Sequence, residues 1–183
     1  MAVHSTTSSL LKESLPEFVR AAEFCVAFRK DEKWGQAQIG GILGYPAVAL
    51  LFCVADSIGS YHRGKPGYTV LVDGKHVPIT NALHHHFYIF NSDYYGLALT
   101  ESSIKKLYKN YRNLLLHNSA LAMNHVLFCG DPADQPFLLD TGKIHVNVRA
   151  FLRVSQTSLS KFLPVIESVV PGSEQEKLIS LKR

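Results

Sequence analysis

The feature that most constrains the fold is an apolar run at residues 39–55, IGGILGYPAVALLFCVA, which contains no charged side chain. A run of this length lies at the lower limit for a helix that crosses a bilayer. Pro46 near its start and the polar Asp56-Ser57 just after it favour a shorter helix over residues 45–61. A helix that is apolar on every side belongs at the centre of a bundle. The sequence therefore predicts a buried central helix, with a membrane span as the alternative.

The composition is that of an ordinary globular chain. With 183 residues, of which 46% are hydrophobic and 19% charged, residues 1–183 are expected to form a single domain with a substantial core. The net charge of +4 permits binding to phosphate groups without requiring it. Cys25, Cys53 and Cys129 lack Cys-x-x-Cys spacing, and no basic segment precedes an apolar run at the N-terminus. These features predict free, buried thiols and a cytoplasmic protein.

A second helix is predicted at residues 100–118, TESSIKKLYKNYRNLLLHN. Thr100 is a suitable N-cap, and Glu101 would place a negative charge in the first turn. Apolar and aromatic side chains recur along this segment at the spacing of one helix face. They are Ile104, Leu107, Tyr108, Tyr111, Leu114 and Leu115. This face is expected to pack on the core.

The other side of this helix combines cationic and polar side chains with one apolar residue. Its members are Lys105, Lys106, Lys109, Arg112, Asn113, Leu116 and His117. Asn113 and His117 are four residues apart and can touch, whereas roughly 140° separates Arg112 from His117 around a regular helix. Such a surface is typical of a contact site. The alternative is that Arg112 and His117 are merely solvated, with the histidine favoured by the helix dipole.

The segment from Arg112 to His117, Arg-Asn-Leu-Leu-Leu-His, resembles the Arg-Asn-x-x-x-His motif of the HEPN superfamily. That superfamily comprises α-helical, usually dimeric domains, many of which are metal-independent ribonucleases. The resemblance implies a mainly α fold, a HEPN-like bundle of about four helices with one or two small β-hairpins. It further implies a homodimer in which two copies of the motif line a shared cleft, with Leu116 at the interface. No cofactor and no metal ion are expected.

The resemblance also assigns roles to the motif. RNA carries its own nucleophile, the 2′-hydroxyl, so His117 would transfer a proton while Arg112 holds the phosphate and offsets its developing charge. Asn113 would orient the imidazole or bond the phosphate. Three lysines, Lys105, Lys106 and Lys109, would bind the RNA backbone. The alternative is a non-catalytic binding or interaction module, and the sequence does not identify an antitoxin or any other protein partner.

Two further helices are predicted at the ends of the chain. Ser14 as N-cap and Glu17 three residues later form a capping box that would open a helix over residues 14–33. Asn147 would cap a helix over residues 148–169, with Pro164 bending or breaking it. Residues 1–10 are expected to be frayed, and residues 173–183 to form a polar tail.

The remaining segments predict two hairpins and an unusual histidine cluster. Asp73-Gly74 is a strong turn signal within residues 68–80, and residues 140–142 would join strands in a second hairpin. His84, His85 and His86 are adjacent, so on a helix they point about 100° apart and cannot all face one metal ion. They are expected to be partly exposed, and their role is left open. A histidine-based metalloprotein is a third reading of the chain, which metal analysis would test. The aromatic run at residues 87–90 favours core packing over stacking on bases.

Overall fold

The computed structural model describes residues 4–118, 121, 125–140 and 143–180, and within these it is mainly α-helical. The first two helices are α1 (Thr7–Ala27) and α2 (Gly44–Tyr61). A composite helix follows, made of α3 (Glu101–Leu107), a π-helical segment (Tyr108–Asn113) and α4 (Leu114–Asn118). The last three are α5 (Val148–Phe162), α6 (Ile166–Val169) and α7 (Glu174–Ser180).

Helix α2 lies at the centre of the fold, which confirms the prediction drawn from the apolar run. It packs against α1, α5 and a 3₁₀ helix at His85–Asn91. Phe52 is fully buried, and its ring lies 5.6 Å from that of Phe87 and 5.0 Å from that of Phe151. Within the described ranges, no helix is both long and apolar enough to cross a membrane. The run is mostly buried from Ala47 onwards, whereas Ile39 and Tyr45 are exposed.

Helix α1 begins seven residues earlier than the predicted start at Ser14. Thr6 is its N-cap and forms a capping box with Ser9, so residues 7–10 are helical rather than frayed. The helix continues through Pro16 and ends at Ala27, six residues before the predicted end. Two short 3₁₀ helices, Glu32–Trp34 and Gln36–Gln38, occupy the connection to α2. The predicted capping box was wrong. The helix is capped at Thr6, so Ser14 lies inside it and not at the end, where free N–H groups need a cap.

Both predicted hairpins are present. Strands β1 (Thr69–Val72) and β2 (Lys75–Pro78) pair antiparallel around Asp73 and Gly74, whose φ angles of 49° and 75° are those of a type I′ turn. Strands β4 (Phe137–Asp140) and β5 (Lys143–Asn147) form the second hairpin, whose residues 141–142 lie outside the described part. Strand β3 (Val126–Phe128), which was not predicted, pairs parallel with β5.

The C-terminal segments follow the prediction as far as α6. The Asn147 side chain accepts a hydrogen bond from the Ala150 amide at 3.4 Å and so caps α5. The helical course is interrupted by a 3₁₀ turn that contains Pro164, the residue predicted to bend it. Residues 174–180 form α7, so the expected polar tail is helical there; residues 181–183 lie outside the described part.

The cysteines are free thiols, but they are not equally buried. Cys25 is buried, Cys53 is half-buried and Cys129 is exposed. Burial raises the pKa of the Cys25 thiol, and burial together with nearby Asp56 raises that of Cys53. The expectation of three buried thiols is therefore correct only for Cys25.

Candidate functional site

The helix that carries the motif runs over residues 101–118, as predicted. Thr100 caps it by accepting a hydrogen bond from the Ser103 amide at 3.2 Å. Ile104, Leu107 and Tyr111 are fully buried. Of the other three residues assigned to this face, Leu115 is buried, while Tyr108 and Leu114 are half-buried. The core-facing side of the helix was thus largely identified from spacing alone.

The middle of this helix is a π-helical segment, Tyr108–Asn113, which contains the first two motif residues. A π turn holds about one residue more than an α turn, so angular separations estimated for a regular helix do not hold across it. The separation estimated for Arg112 and His117 on a regular helix therefore does not apply. Rather than facing solvent, Arg112 is directed towards α2.

Arg112 is held by three hydrogen bonds. Its Nε and Nη2 atoms donate to Oδ2 of Asp56 on α2, at 3.2 and 2.7 Å. Its Nη1 atom donates to Oδ1 of Asn113 at 3.1 Å. The guanidinium carbon also lies 5.7 Å from the centre of the Tyr108 ring, within cation–π range. The side chains of Arg112 and Asp56 keep 22% and 20% of their exposure, so this ion pair is partly buried.

Asp56 also connects Arg112 to a second group of side chains. Ser60 Oγ donates to Oδ1 of Asp56 at 3.3 Å, and Nε2 of His86 lies 3.2 Å from the same oxygen. The other ring nitrogen of His86, Nδ1, lies 3.2 Å from Nη2 of Arg63. Arg63, His86, Asp56 and Arg112 are called the polar network below. The network joins α2, the 3₁₀ helix and the motif helix.

His86 is the buried member of the histidine cluster, and this corrects the expectation of partial exposure. Burial lowers the pKa of its imidazole to about 4, an effect that Arg63 and Arg112 reinforce and Asp56 opposes. The ring is therefore neutral at pH 7. The chain at His86 lies directly against α2, since a Cβ atom at Gly59 would stand 1.9 Å from the His86 carbonyl oxygen. Only glycine at position 59 permits this approach.

The other two histidines of the cluster are half-buried. His85 Nδ1 and Thr80 Oγ1 are 2.8 Å apart, and His84 Nε2 lies 3.7 Å from Glu101. Burial lowers the pKa of both imidazoles. The aromatic run that follows is buried, as predicted. In the described part of the chain, no three His, Cys, Asp or Glu side chains are placed to hold a metal ion.

The last motif residue is separate from the polar network. His117 and Leu116 are exposed at the end of the helix. Among the described residues, no hydrogen bond joins His117 to Arg112 or Asn113. The structure thus brings Arg112 and Asn113 into contact and leaves His117 at the surface.

The predicted RNA-binding lysines lie on the flank of the same helix. Lys105 and Lys109 are exposed and Lys106 is half-buried. Lys105 forms an ion pair with Glu101 at 2.7 Å. The three lysines lie along an open concavity of about 580 Å³, which is also lined by Asp73, Glu101, Ser102 and Asn110. This surface is basic along the helix and acidic at one end.

Asp56, Arg63 and His86 were not identified from the sequence, although one signal was present. Asp56 is the single charged residue of residues 39–61, and a carboxylate within a buried apolar helix needs a partner. Nothing in the sequence indicated which arginine or histidine would supply it. Comparison of the chain with protein-family models, curated proteins and solved structures gave no match.

Proposed function

We propose that the protein is a metal-independent endoribonuclease of the HEPN-like type, which acts in the cytoplasm as a homodimer through Arg112, Asn113 and His117. The observation that carries the proposal is the way in which Arg112 is held. It is oriented by Asp56 and Asn113, yet its side chain keeps 22% of its exposure. An arginine fixed in this manner can bind a phosphate without first being ordered, and this favours transition-state stabilisation.

The donor count of Arg112 is compatible with phosphate binding. A guanidinium group has five N–H donors, of which Asp56 and Asn113 take three. Within the part of the chain that the structure describes, two donors, one on each terminal nitrogen, are left for two oxygens of one phosphate. Asp56 therefore orients Arg112 without using all of its binding capacity.

The proposed reaction needs no metal ion. The 2′-oxygen of a ribose attacks the adjacent phosphorus while His117 takes the 2′-hydroxyl proton. The new O2′–P bond forms as the P–O5′ bond breaks, and the 5′-oxygen leaves with a proton taken from solvent water, to which His117 later returns its own. Arg112 stabilises the negative charge of the phosphorane. Because no hydrogen bond joins His117 to Arg112 among the described residues, we expect a second copy, packed through the face of Leu116, to complete the site.

Cleavage of single-stranded RNA in EDTA tests this proposal. We expect the wild-type protein to give products with a 2′,3′-cyclic phosphate and a 5′-hydroxyl, and a substrate with 2′-deoxyribose at the cleavage site to stay intact. His117→Ala and Arg112→Ala should lose activity. The exposed His76→Ala and Arg20→Ala serve as matched controls and should keep it. An inert wild-type protein, or equal cleavage by all variants, would exclude catalysis by this motif.

A non-catalytic RNA-binding or interaction module is the second candidate, and one observation favours it. Most donors of Arg112 are already used inside the protein, as in an arginine that fastens one helix to another. Reversing the charges of Lys105 and Lys109 distinguishes an RNA-binding module from a protein-interaction module. The reversal should weaken RNA binding, but it should leave binding to a protein, such as an antitoxin, largely intact. A module of either kind would bind its partner and leave RNA uncut.

A further inference from the structure

The polar network connects Arg112 to a buried histidine that the motif does not contain. Asp56 is the shared member, because its Oδ2 atom accepts from Arg112 and its Oδ1 atom lies 3.2 Å from Nε2 of His86. Arg63 closes the network from the other side, with Nη2 at 3.2 Å from Nδ1 of His86. The position of the Asp56 carboxylate therefore depends on groups that lie away from Arg112.

The protonation of His86 follows from its neighbours. A guanidinium group can only donate hydrogen bonds, so the nitrogen that faces Arg63 must be an acceptor and carries no proton. A neutral imidazole then bears its proton on the other nitrogen, Nε2, which faces Asp56. Arg63 thus selects the tautomer that presents an N–H group to the carboxylate. The Nε2 contact is close but not well aligned, since this atom has no well-formed hydrogen bond among the described residues.

The ring of His86 is also fixed in place. The side chain is almost completely buried, and its ring packs edge to face against Tyr108 at 5.4 Å. Its main chain rests on α2 at Gly59, where no larger residue fits. Tyr108 also lies next to Arg112, so the Tyr108 ring and the Asp56 carboxylate both connect the histidine to the arginine. A ring held in this manner can orient a carboxylate but cannot swing towards a substrate.

We propose that Arg63, His86 and Asp56 are positioning residues for Arg112: Arg63 sets the tautomer of His86, His86 orients Asp56, and Asp56 aims the guanidinium at the phosphate. The inference rests on the proposed ribonuclease function and adds three residues outside the motif to its site. None of the three touches the substrate. Their contribution is to keep Arg112 in one orientation, because small displacements of a catalytic group have large effects on rate.

The tautomer of His86 provides a test that needs no activity. Imidazole nitrogen signals in the ¹⁵N–¹H NMR spectrum of the full chain distinguish the two neutral forms. We expect the Nε2–H form in the wild type and in Arg63→Lys, which keeps a donor, and a share of the Nδ1–H form in Arg63→Met. A wild-type His86 with its proton on Nδ1 would overturn the proposal.

Kinetics of RNA cleavage then test the effect on Arg112. Asp56→Asn and Arg63→Met should lower kcat about 10- to 100-fold with little change in KM. The RNA can still bind the lysines in these variants, but the Arg112 guanidinium is no longer correctly oriented. His86→Gln, whose amide can replace Nε2–H, should keep more activity than His86→Leu. Glu167→Gln removes the carboxylate of a distant ion pair with Lys12 and should be neutral.

The outcomes separate the two proposals. If the wild-type protein cleaves RNA and the folded Asp56 and Arg63 variants match it in kcat, the positioning role is wrong while the ribonuclease stands. If the wild-type protein does not cleave RNA, the proposed function fails and the positioning role fails with it. If His86→Leu does not fold, the comparison of Arg63→Lys with Arg63→Met still tests the positioning role. These substitutions change a half-buried residue and leave the His86 ring in place.

Discussion

Asp56 and Arg112 are 56 residues apart in the sequence, yet Nε and Nη2 of the arginine both donate to one carboxylate oxygen, at 3.2 and 2.7 Å. The pair joins the central helix to the helix that carries the motif. Because both side chains are about four-fifths buried, solvent screens their attraction less than that of a surface pair. It is the contact on which the candidate site depends.

Removing the charge of Asp56 should destabilise the protein. Asp56→Asn leaves Arg112 without its anionic partner, and we expect the free energy of unfolding to fall by about 1–3 kcal/mol. Urea denaturation at pH 7 measures this change. Glu167→Gln, which breaks the exposed ion pair with Lys12, should leave the denaturation midpoint unchanged. Equal effects of the two substitutions would mean that the Asp56 pair is no stronger than a surface one.

Gly59→Ala should be far more damaging than Gly44→Ala, although both glycines belong to α2. A methyl group at Gly59 would collide with the backbone of His86, so the 3₁₀ helix must move away. At Gly44 the nearest atom stands 3.7 Å away, and alanine favours the helix by up to about 1 kcal/mol. We expect thermal denaturation to show a large fall in Tm for Gly59→Ala and no loss for Gly44→Ala. A tolerated Gly59→Ala would contradict the close contact.

Acid should destabilise the fold through two buried histidines. Burial lowers the pKa values of His62 and His86 to about 4, below the value of 6.5 for an exposed histidine. The unfolded chain therefore binds protons first, so stability is complete above pH 6.5 and is lost as the pH falls towards 4. The titratable and charged groups around His86 are Asp56, which opposes the shift, and Arg63, Arg112 and His84, which favour it.

Urea denaturation between pH 7.5 and 4.5 measures this loss. His62→Phe should reduce the slope of stability against pH, because His62 stacks on Tyr68 at 4.1 Å and a phenyl ring can take its place without titrating. An unchanged slope in this variant would show that the imidazole of His62 is not buried in its neutral form.

The Asn147 side chain should contribute more than an ordinary helix cap. Besides capping α5, its Oδ1 atom accepts from the Gly130 amide at 3.1 Å and its Nδ2 atom donates to the Asp131 carbonyl at 2.9 Å. Asn147→Ala should cost about 2 kcal/mol or more, above the usual range for a lost cap. Asn147→Asp keeps the acceptor and loses the donor. Its free energy of unfolding, measured by equilibrium denaturation, should therefore lie between those of Asn147→Ala and the wild type.

If the lysine flank binds RNA, its members should contribute unequally. Lys109 is exposed, whereas Lys105 is already paired with Glu101 at 2.7 Å. Lys109→Gln should therefore reduce the slope of log K against log salt by about 0.7, the value for one phosphate contact with a single strand. Lys105→Gln should reduce it less. Fluorescence anisotropy with labelled RNA over a range of salt concentrations measures the slope for each variant. Equal slopes in the wild type and both variants would show that these lysines do not contact the RNA.

Local signals in the sequence predicted individual elements well. Asp73-Gly74 marked a type I′ turn, Thr100 and Asn147 marked helix starts, and the apolar run marked the central helix. Each depends on residues within a few positions of one another. The start of α1 was missed because a second capping box, formed by Thr6 and Ser9, opens the helix upstream of Ser14.

Contacts between residues that are distant in the sequence could not be predicted from local sequence patterns. Strand β3 pairs parallel with residues 145–147 over only three positions, which is too short for a periodic pattern. The motif helix is π-helical over Tyr108–Asn113, and the partner of Arg112 on α2 is 56 residues away in the sequence, neither of which follows from helical spacing. The sequence thus indicated Arg112 and its neighbour Asn113 but not Asp56.

The polar network also bears on the order in which the chain folds. Its residues come from α2, the turn that follows it, the 3₁₀ helix and the motif helix, so no local segment can form it alone. The loops between these elements must close before its contacts begin to stabilise the protein. We therefore expect the network to form late, after the transition state, so that weakening it accelerates unfolding and leaves the folding rate nearly unchanged. The residues that orient Arg112 would then contribute to the kinetic stability of the folded protein by slowing its unfolding.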